Sequence, residues 1–219
     1  MKKSIIVVSV FAGVISSAAY AADGKRMYGG IEYGASSIED NTRSTATAFV
    51  AAYGGSATAT QDKNVGIGRL FVGYRITPQT AVEGGYFVSS TIKYRISGVT
   101  SGSVAYTGAA DIEYDGFDLS AVWNPMAQRL GDEGLFFKAG VHRSSIDASV
   151  SATASVAGAS ASASSRLSES GTGMLFGAGY DWKFSENAFV RFAATRYTKI
   201  AGDSENKGTV YSVAVGADF

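Results

Sequence analysis

The sequence predicts an all-β fold, an eight-stranded antiparallel up-and-down transmembrane β-barrel, on three observations. Eight segments of about ten residues alternate apolar and polar side chains with period two. The links between them alternate short and long. The charged residues on the glycine-bearing face balance at five of each sign. The chain of 219 residues is 46% hydrophobic, 12% aromatic and only 17% charged, with 27 Gly and no Cys. The lack of Cys excludes a disulfide-stapled domain. With 19 basic and 19 acidic residues there is no basic excess, so no nucleic-acid partner is expected.

Residues 1–21 read as a secretory signal peptide, leaving 22–219 as the barrel domain. Lys2 and Lys3 precede an apolar run from Ile5 to Ile15, and Ala19-Tyr20-Ala21 has the small-x-small pattern of a cleavage site. The run is shorter than the roughly 20 residues of a membrane-spanning helix. Cleavage leaves 17 basic against 19 acidic residues.

The first predicted strand is Met27–Ser36, with Ile31, Tyr33 and Ala35 on one face and Glu32 and Gly34 on the other. Val65–Ile76 sets Leu70, Val72, Tyr74 and Ile76 against Arg69, Gly73 and Arg75. Thr77-Pro78-Gln79 turns it into Ala81–Ser90, where Val82, Tyr86 and Val88 oppose Glu83 and Gly85. The fourth, Ile112–Asn124, opposes Phe117, Leu119, Ala121 and Trp123 to Asp118 and Ser120. A turn containing Pro125 leads to Gly134–Ser144, with Leu135, Phe137, Ala139 and Val141 against Lys138, Gly140 and His142. In Thr172–Phe184 a run from Phe176 to Phe184 opposes Gly177, Gly179, Asp181 and Lys183. Ser185-Glu186-Asn187 turns it into Ala188–Thr198, where Val190, Phe192 and Ala194 oppose Arg191 and Thr195. The last strand, Thr209–Phe219, opposes Tyr211, Val213, Val215, Ala217 and Phe219 to Ser212, Gly216 and Asp218.

The long links are Ser37–Asn64, Thr91–Asp111, Ser145–Gly171 and Ile200–Gly208. Short turns at one rim and long loops at the other are the pattern of a transmembrane barrel. Within the third link, Ala148–Ser165 is nearly a Ser/Ala repeat and reads as a mobile loop, the alternative being a weakly paired hairpin extension. The balanced charges point inward on this reading: Glu32, Arg69, Arg75, Glu83, Asp118, Lys138, Asp181, Lys183, Arg191 and Asp218. Buried charges are tolerated when paired, and a closed interior therefore needs such balance where a solvated face does not. Gly73, Gly85, Gly140, Gly177, Gly179 and Gly216 share that face and leave room for long side chains. Tyr74, Trp123, Trp182 and Phe184 lie beside the short turns, where a periplasmic aromatic girdle belongs.

Phe71-Val72-Gly73-Tyr74-Arg75-Ile76-Thr77-Pro78 followed by Ala81-Val82-Glu83-Gly84-Gly85-Tyr86 resembles strands two and three of the small outer-membrane barrel family typified by outer membrane protein A. Phe176-Gly177-Ala178-Gly179-Tyr180-Asp181-Trp182, with Val190-Arg191-Phe192, resembles the family's strands six and seven. The resemblance implies a lumen plugged by an ion-pair network, in which the family's two acids and arginine map onto Glu83, Asp181 and Arg191. The family's lysine on strand four falls at Val122, with Lys138 as the substitute cation. The terminal run Tyr211, Val213, Val215, Phe219 resembles the signal read by the barrel-assembly machinery. The peptidoglycan-binding domain of larger members is not expected, since the sequence stops at Phe219.

Other chemistry is not encoded recognisably. Gly66-Ile67-Gly68 and Gly177-Ala178-Gly179 lack the third glycine and the helix of a nucleotide site. His142 is the only histidine, so a His-based metal cluster cannot form, and it reads as a lumen residue near the external rim. Glu39, Asp40 and Asp62 are too scattered to name a site. No enzyme and no cofactor are expected. The expected function is a structural, surface-exposed barrel with a plugged lumen and four external loops available for interactions. The alternatives are a narrow passive pore and an adhesin or immune-evasion surface protein. Expected partners are outer-membrane lipid, lipopolysaccharide and host or surface ligands reached through the loops.

Overall fold

A computed structural model of the chain describes residues 27–37, 42–62, 64–127, 133–204 and 206–219. The predicted signal peptide, 1–21, lies outside the described residues, as do Glu39 and Asp40. The elements are β1 (Met27–Ser37), α1 (Thr42–Tyr53), β2 (Ser56–Gln61), β3 (Asn64–Arg75), β4 (Thr80–Ser89), β5 (Ile92–Val99), β6 (Ala105–Trp123), β7 (Gly134–Val156), β8 (Ala159–Lys183), β9 (Ala188–Tyr197) and β10 (Gly208–Asp218). All pairings are antiparallel. Eight strands close in the order β1-β3-β4-β6-β7-β8-β9-β10, and β10 pairs back onto β1. The Phe219 N–H donates to Met27 O at 2.9 Å beside that seam. The all-β, eight-stranded barrel read from the sequence is borne out.

Closure leaves no strand edge in the ring, so every backbone group there can be paired without water. The outward register is an apolar belt. Ile31, Tyr33, Leu119, Val141, Phe176, Val213 and Val215 are all exposed on it. Tyr74, Trp123, Trp182 and Phe184 stand exposed near the short turns, and the Trp123 ring stacks on Phe137 at 5.9 Å. Two of those turns are tight: Ile76 N–H donates to Thr80 O at 2.9 Å, and Phe184 N–H to Ala188 O at 3.2 Å. Among the described residues no helix is long and apolar enough to cross a membrane.

The opposite end differs from the sequence reading. The Ala148–Ser165 segment is not a loop: β7 and β8 run through it as one hairpin, paired from Gly134↔Asp181 to Val156↔Ala159. At its tip Ala157 (φ 49°) and Gly158 (φ 84°) adopt the paired left-handed conformation of a two-residue turn whose twist matches the strands. The 91–111 link is likewise structured, because β5 pairs with the upper part of β6, which starts at Ala105 rather than Ile112. The 37–64 link contains α1 and β2, and β2 adds to the edge of β5. Gly54 (φ 66°) and Gly55 (φ 82°) stop α1, with Gly54 N–H donating to Val50 O at 2.8 Å, and turn the chain into β2. Beyond the barrel these segments form an open sheet in the order β2-β5-β6-β7-β8. Phe49 of α1 stacks on Tyr106 of this sheet at 4.0 Å between ring centroids.

Candidate functional site

The lumen is built in layers, each set by strand register. Nearest the short turns, Asp218 lies between Arg75 Nη2 (2.7 Å) and Lys183 Nζ (2.8 Å). Above it sits an apolar layer that includes Tyr28, Phe71, Phe136 and Phe189, all at most 2% exposed. The next layer is charged, with Glu32, Arg69, Glu83, Asp118, Lys138 and Arg191 buried together. Phe87, Leu175, Tyr197 and Val210 form a second apolar layer above it. A short helical turn, Ile200–Gly202, covers that layer, and the Ala201 N–H donates to Ser144 Oγ at 2.8 Å.

Within the charged layer, Glu83 is the common acceptor. It lies on β4, directly across the ring from Arg191 on β9, whose Nη1 reaches Glu83 Oε2 at 2.6 Å. The same guanidinium holds Asp181, its cross-strand partner, through Nε (2.7 Å) and Nη2 (2.9 Å). Arg69 donates to Glu83 Oε1 at 3.0 Å and to Glu32 Oε2 at 2.9 Å through Nη1. It also takes Asp118 bidentately, Nε to Oδ2 at 2.8 Å and Nη2 to Oδ1 at 2.6 Å. The Tyr28 hydroxyl donates to Glu83 Oε2 at 3.1 Å, and Ser212 Oγ donates to Glu32 Oε1 at 2.5 Å. Fork-to-carboxylate contacts of this kind are the strong, geometrically specific ones. The two arginines therefore bridge strands that are not neighbours in the ring, which ties the barrel wall together across its axis.

The four aromatics of the lower apolar layer serve the same cluster. The Arg191 guanidinium carbon lies 5.7 Å from the Tyr28 ring centroid, 5.1 Å from Phe71, 4.5 Å from Phe136 and 5.6 Å from Phe189. A desolvated cation is stabilised by such ring faces, each by about 0.5–2 kcal/mol. These rings were not singled out from sequence, since apolar-out, polar-in alternation leaves no place for aromatics on the charged face. A signal was available: each ring sits directly opposite an inward glycine, as Tyr28↔Gly73, Phe71↔Gly85, Phe136↔Gly179 and Phe189↔Gly216. A Cβ at Gly179 would lie 2.5 Å from Phe136 Cζ, so the glycine is what lets the ring fold over the wall. At Gly85 the added Cβ would lie 2.5 Å from Arg69 Nε.

Lys138 is buried near the acids, but no ion pair joins it to a described residue. Arg69, and not Lys138, is the second cation bonded to Glu83. Val122 belongs to the lower apolar layer. His142 is 2% exposed at the top of the lumen, and its Nε2 lies 2.9 Å from Thr198 O. The residues Tyr211, Val213 and Val215 lie on the exposed belt, and Phe219 is half-buried at the seam. Among the described residues no group of His, Cys, Asp or Glu is arranged to hold a metal ion. What the cluster can do chemically is fill and cross-link: its two guanidinium groups and four of its carboxylates are paired with one another, and Lys138 lies among them without a direct ion pair.

Residues 22–217 match the OmpA-like transmembrane domain. No curated protein matches the sequence. Among solved structures, the chain is similar to Ail, the attachment invasion locus protein of Yersinia pestis, in complex with the heparin analogue sucrose octasulfate (15% identity, 89% of this chain and 99% of that chain, TM-score 0.44). It is similar to the outer membrane protein OprG from Pseudomonas aeruginosa (15% identity, 88% and 94%, TM-score 0.46). It is also similar to CarO of Acinetobacter baumannii (16% identity, 85% and 97%, TM-score 0.40). The family match, the closed ring and the exposed apolar belt lead to one conclusion: this chain belongs to the OmpA-like transmembrane domain family and is an integral protein of the bacterial outer membrane.

Proposed function

We propose that the barrel is a closed structural anchor that displays an extracellular sheet, and not a pore or an enzyme. The observation that carries this reading is the transverse Arg191–Glu83–Arg69 clamp, which spans the lumen between two apolar layers. An eight-stranded barrel encloses a bore that side chains can fill. Here both arginines are paired with the acids, so passage of an ion would require breaking several charge-assisted bonds at once.

The external sheet supplies the interaction surface. Its outer strand, the upper part of β8, is exposed from Ala159 to Ser170. The partners on this reading are membrane lipid and lipopolysaccharide around the barrel, and surface or host ligands at the sheet. The run Tyr211, Val213, Val215, Phe219 serves assembly.

Swelling of proteoliposomes in a small sugar tests the closed reading. Vesicles carrying the protein are expected to swell no faster than empty ones; swelling at a porin-like rate would overturn it. For the display reading, replacing Ser149–Arg166 by Asn-Gly, which joins the paired residues Ala148 and Leu167, shortens the sheet. Cells bearing that variant are expected to lose binding to surface ligands while the barrel stays in the outer membrane. Unchanged binding would count against the sheet.

A further inference from the structure

Between the charged cluster and the capping turn the lumen is not filled. A cavity of about 130 Å³ lies there. Its wall is mostly apolar and comes from five strands: Val65, Ile67, Phe87, Ile92, Tyr197 and Val210. His142 completes it, and the rings of Phe87 and Tyr197 (5.5 Å) and of His142 and Tyr197 (5.3 Å) meet at steep angles.

The histidine is the unusual member. A carbonyl oxygen only accepts, so the contact of Nε2 with Thr198 O places the proton of the neutral ring on Nε2 and leaves Nδ1 as an acceptor. That Nδ1 is buried and has no hydrogen-bond partner among the described residues. Besides His142 the wall takes in Ser36, Ser89, Tyr114, Asn206 and Lys207, of which Ser89 and Asn206 bond to other groups. Ser89 Oγ accepts from Tyr114 N–H at 2.8 Å, and Asn206 Nδ2 donates to Asp203 at 3.2 Å. A water would want about two to four polar partners, whereas an apolar cavity of roughly 150 Å³ holds a benzene ring. The cover over the cavity is itself strained: Lys199 (φ 53°) and Ala201 (φ 55°) are both left-handed without being glycine. Strain of this kind concentrates at ligand clamps and at segments that move.

We propose that this mouth of the lumen is a binding site for a small single-ring aromatic molecule bearing one O–H donor, of which phenol is the simplest. Its ring fills the apolar cavity and its hydroxyl donates to Nδ1 of His142. The Ile200–Gly202 turn opens to admit it and closes over it.

His142 is the sole histidine in the chain, so its nitrogen resonances are unambiguous in a tag-free protein. The test is a phenol titration of ¹⁵N-imidazole-labelled protein folded in nanodiscs, at a pH where the imidazole is neutral. The Nδ1 resonance is expected to move to the shielded side and to saturate. Fluorobenzene, which has no donor, should compete with phenol without producing that shift. Ile67→Phe, which fills the cavity, should abolish it; if that variant fails the heat-dependent gel shift of a folded barrel, Val210→Phe replaces it. No Nδ1 shift, a shift that never saturates, or one that persists in the filled variant would overturn the proposal.

Discussion

Glu83 accepts from three side chains at once, Tyr28, Arg69 and Arg191, and is fully buried. Glu83→Ala would leave two guanidinium groups without that carboxylate in a dry layer. Breaking a buried pair on one side costs about 3–5 kcal/mol. Urea unfolding of the refolded barrel should show a loss of that size. Arg191→Lys keeps the charge but loses the fork to Asp181 and the fit among four rings, so it too should destabilise. Lys138→Met removes a cation with no direct ion pair, and its cost should be smaller than that of Glu83→Ala in the same assay. At this scale the sequence was informative about which charges share a face, because parity is a property of the backbone. Which acid meets which cation was not legible. Arg69 reaches past β4 to Asp118 on β6, and that depends on barrel curvature and on the space left at Gly85.

The ring strands were legible because one face meets apolar surroundings and the other does not, which writes a contrast into every second residue. The external hairpin lacks that contrast. In Ala159–Ser170 both faces are exposed, so serine and alanine serve equally well and no period appears. Pairing with β7, and the twist-matched turn at Ala157-Gly158, carry the strand instead. Strand β8 is 25 residues long, roughly 80 Å at about 3.3 Å per residue, where crossing a membrane takes about 9–11 residues. Two outcomes are expected of these elements. The variant in which Asn-Gly replaces Ser149–Arg166 should still show heat-dependent mobility in detergent electrophoresis, since all ring pairings remain. In hydrogen exchange, the amides of Ala159–Ser170 that point away from β7 should exchange fast, while those of Ala188–Tyr197 in the ring stay protected. Uniform protection along β8 would mean that another strand covers its edge.

For the whole molecule, the faces are exchanged relative to a soluble barrel: the apolar set is outside and the ion cluster within. Val213 lies on the exposed belt opposite Tyr33 and Phe192, level with the charged layer. Val213→Arg should cost about 2–4 kcal/mol in lipid, the penalty for a cation near the bilayer midplane. A much smaller penalty in bilayer refolding would place that face against water. The central claim is that the Arg191–Glu83–Arg69 clamp seals the lumen, and planar-bilayer recording tests it most directly. The wild-type protein is expected to show no stable openings, and Glu83→Ala, checked for folding by its gel shift, is expected to admit current. Stable wild-type openings unaffected by Glu83→Ala would contradict the account.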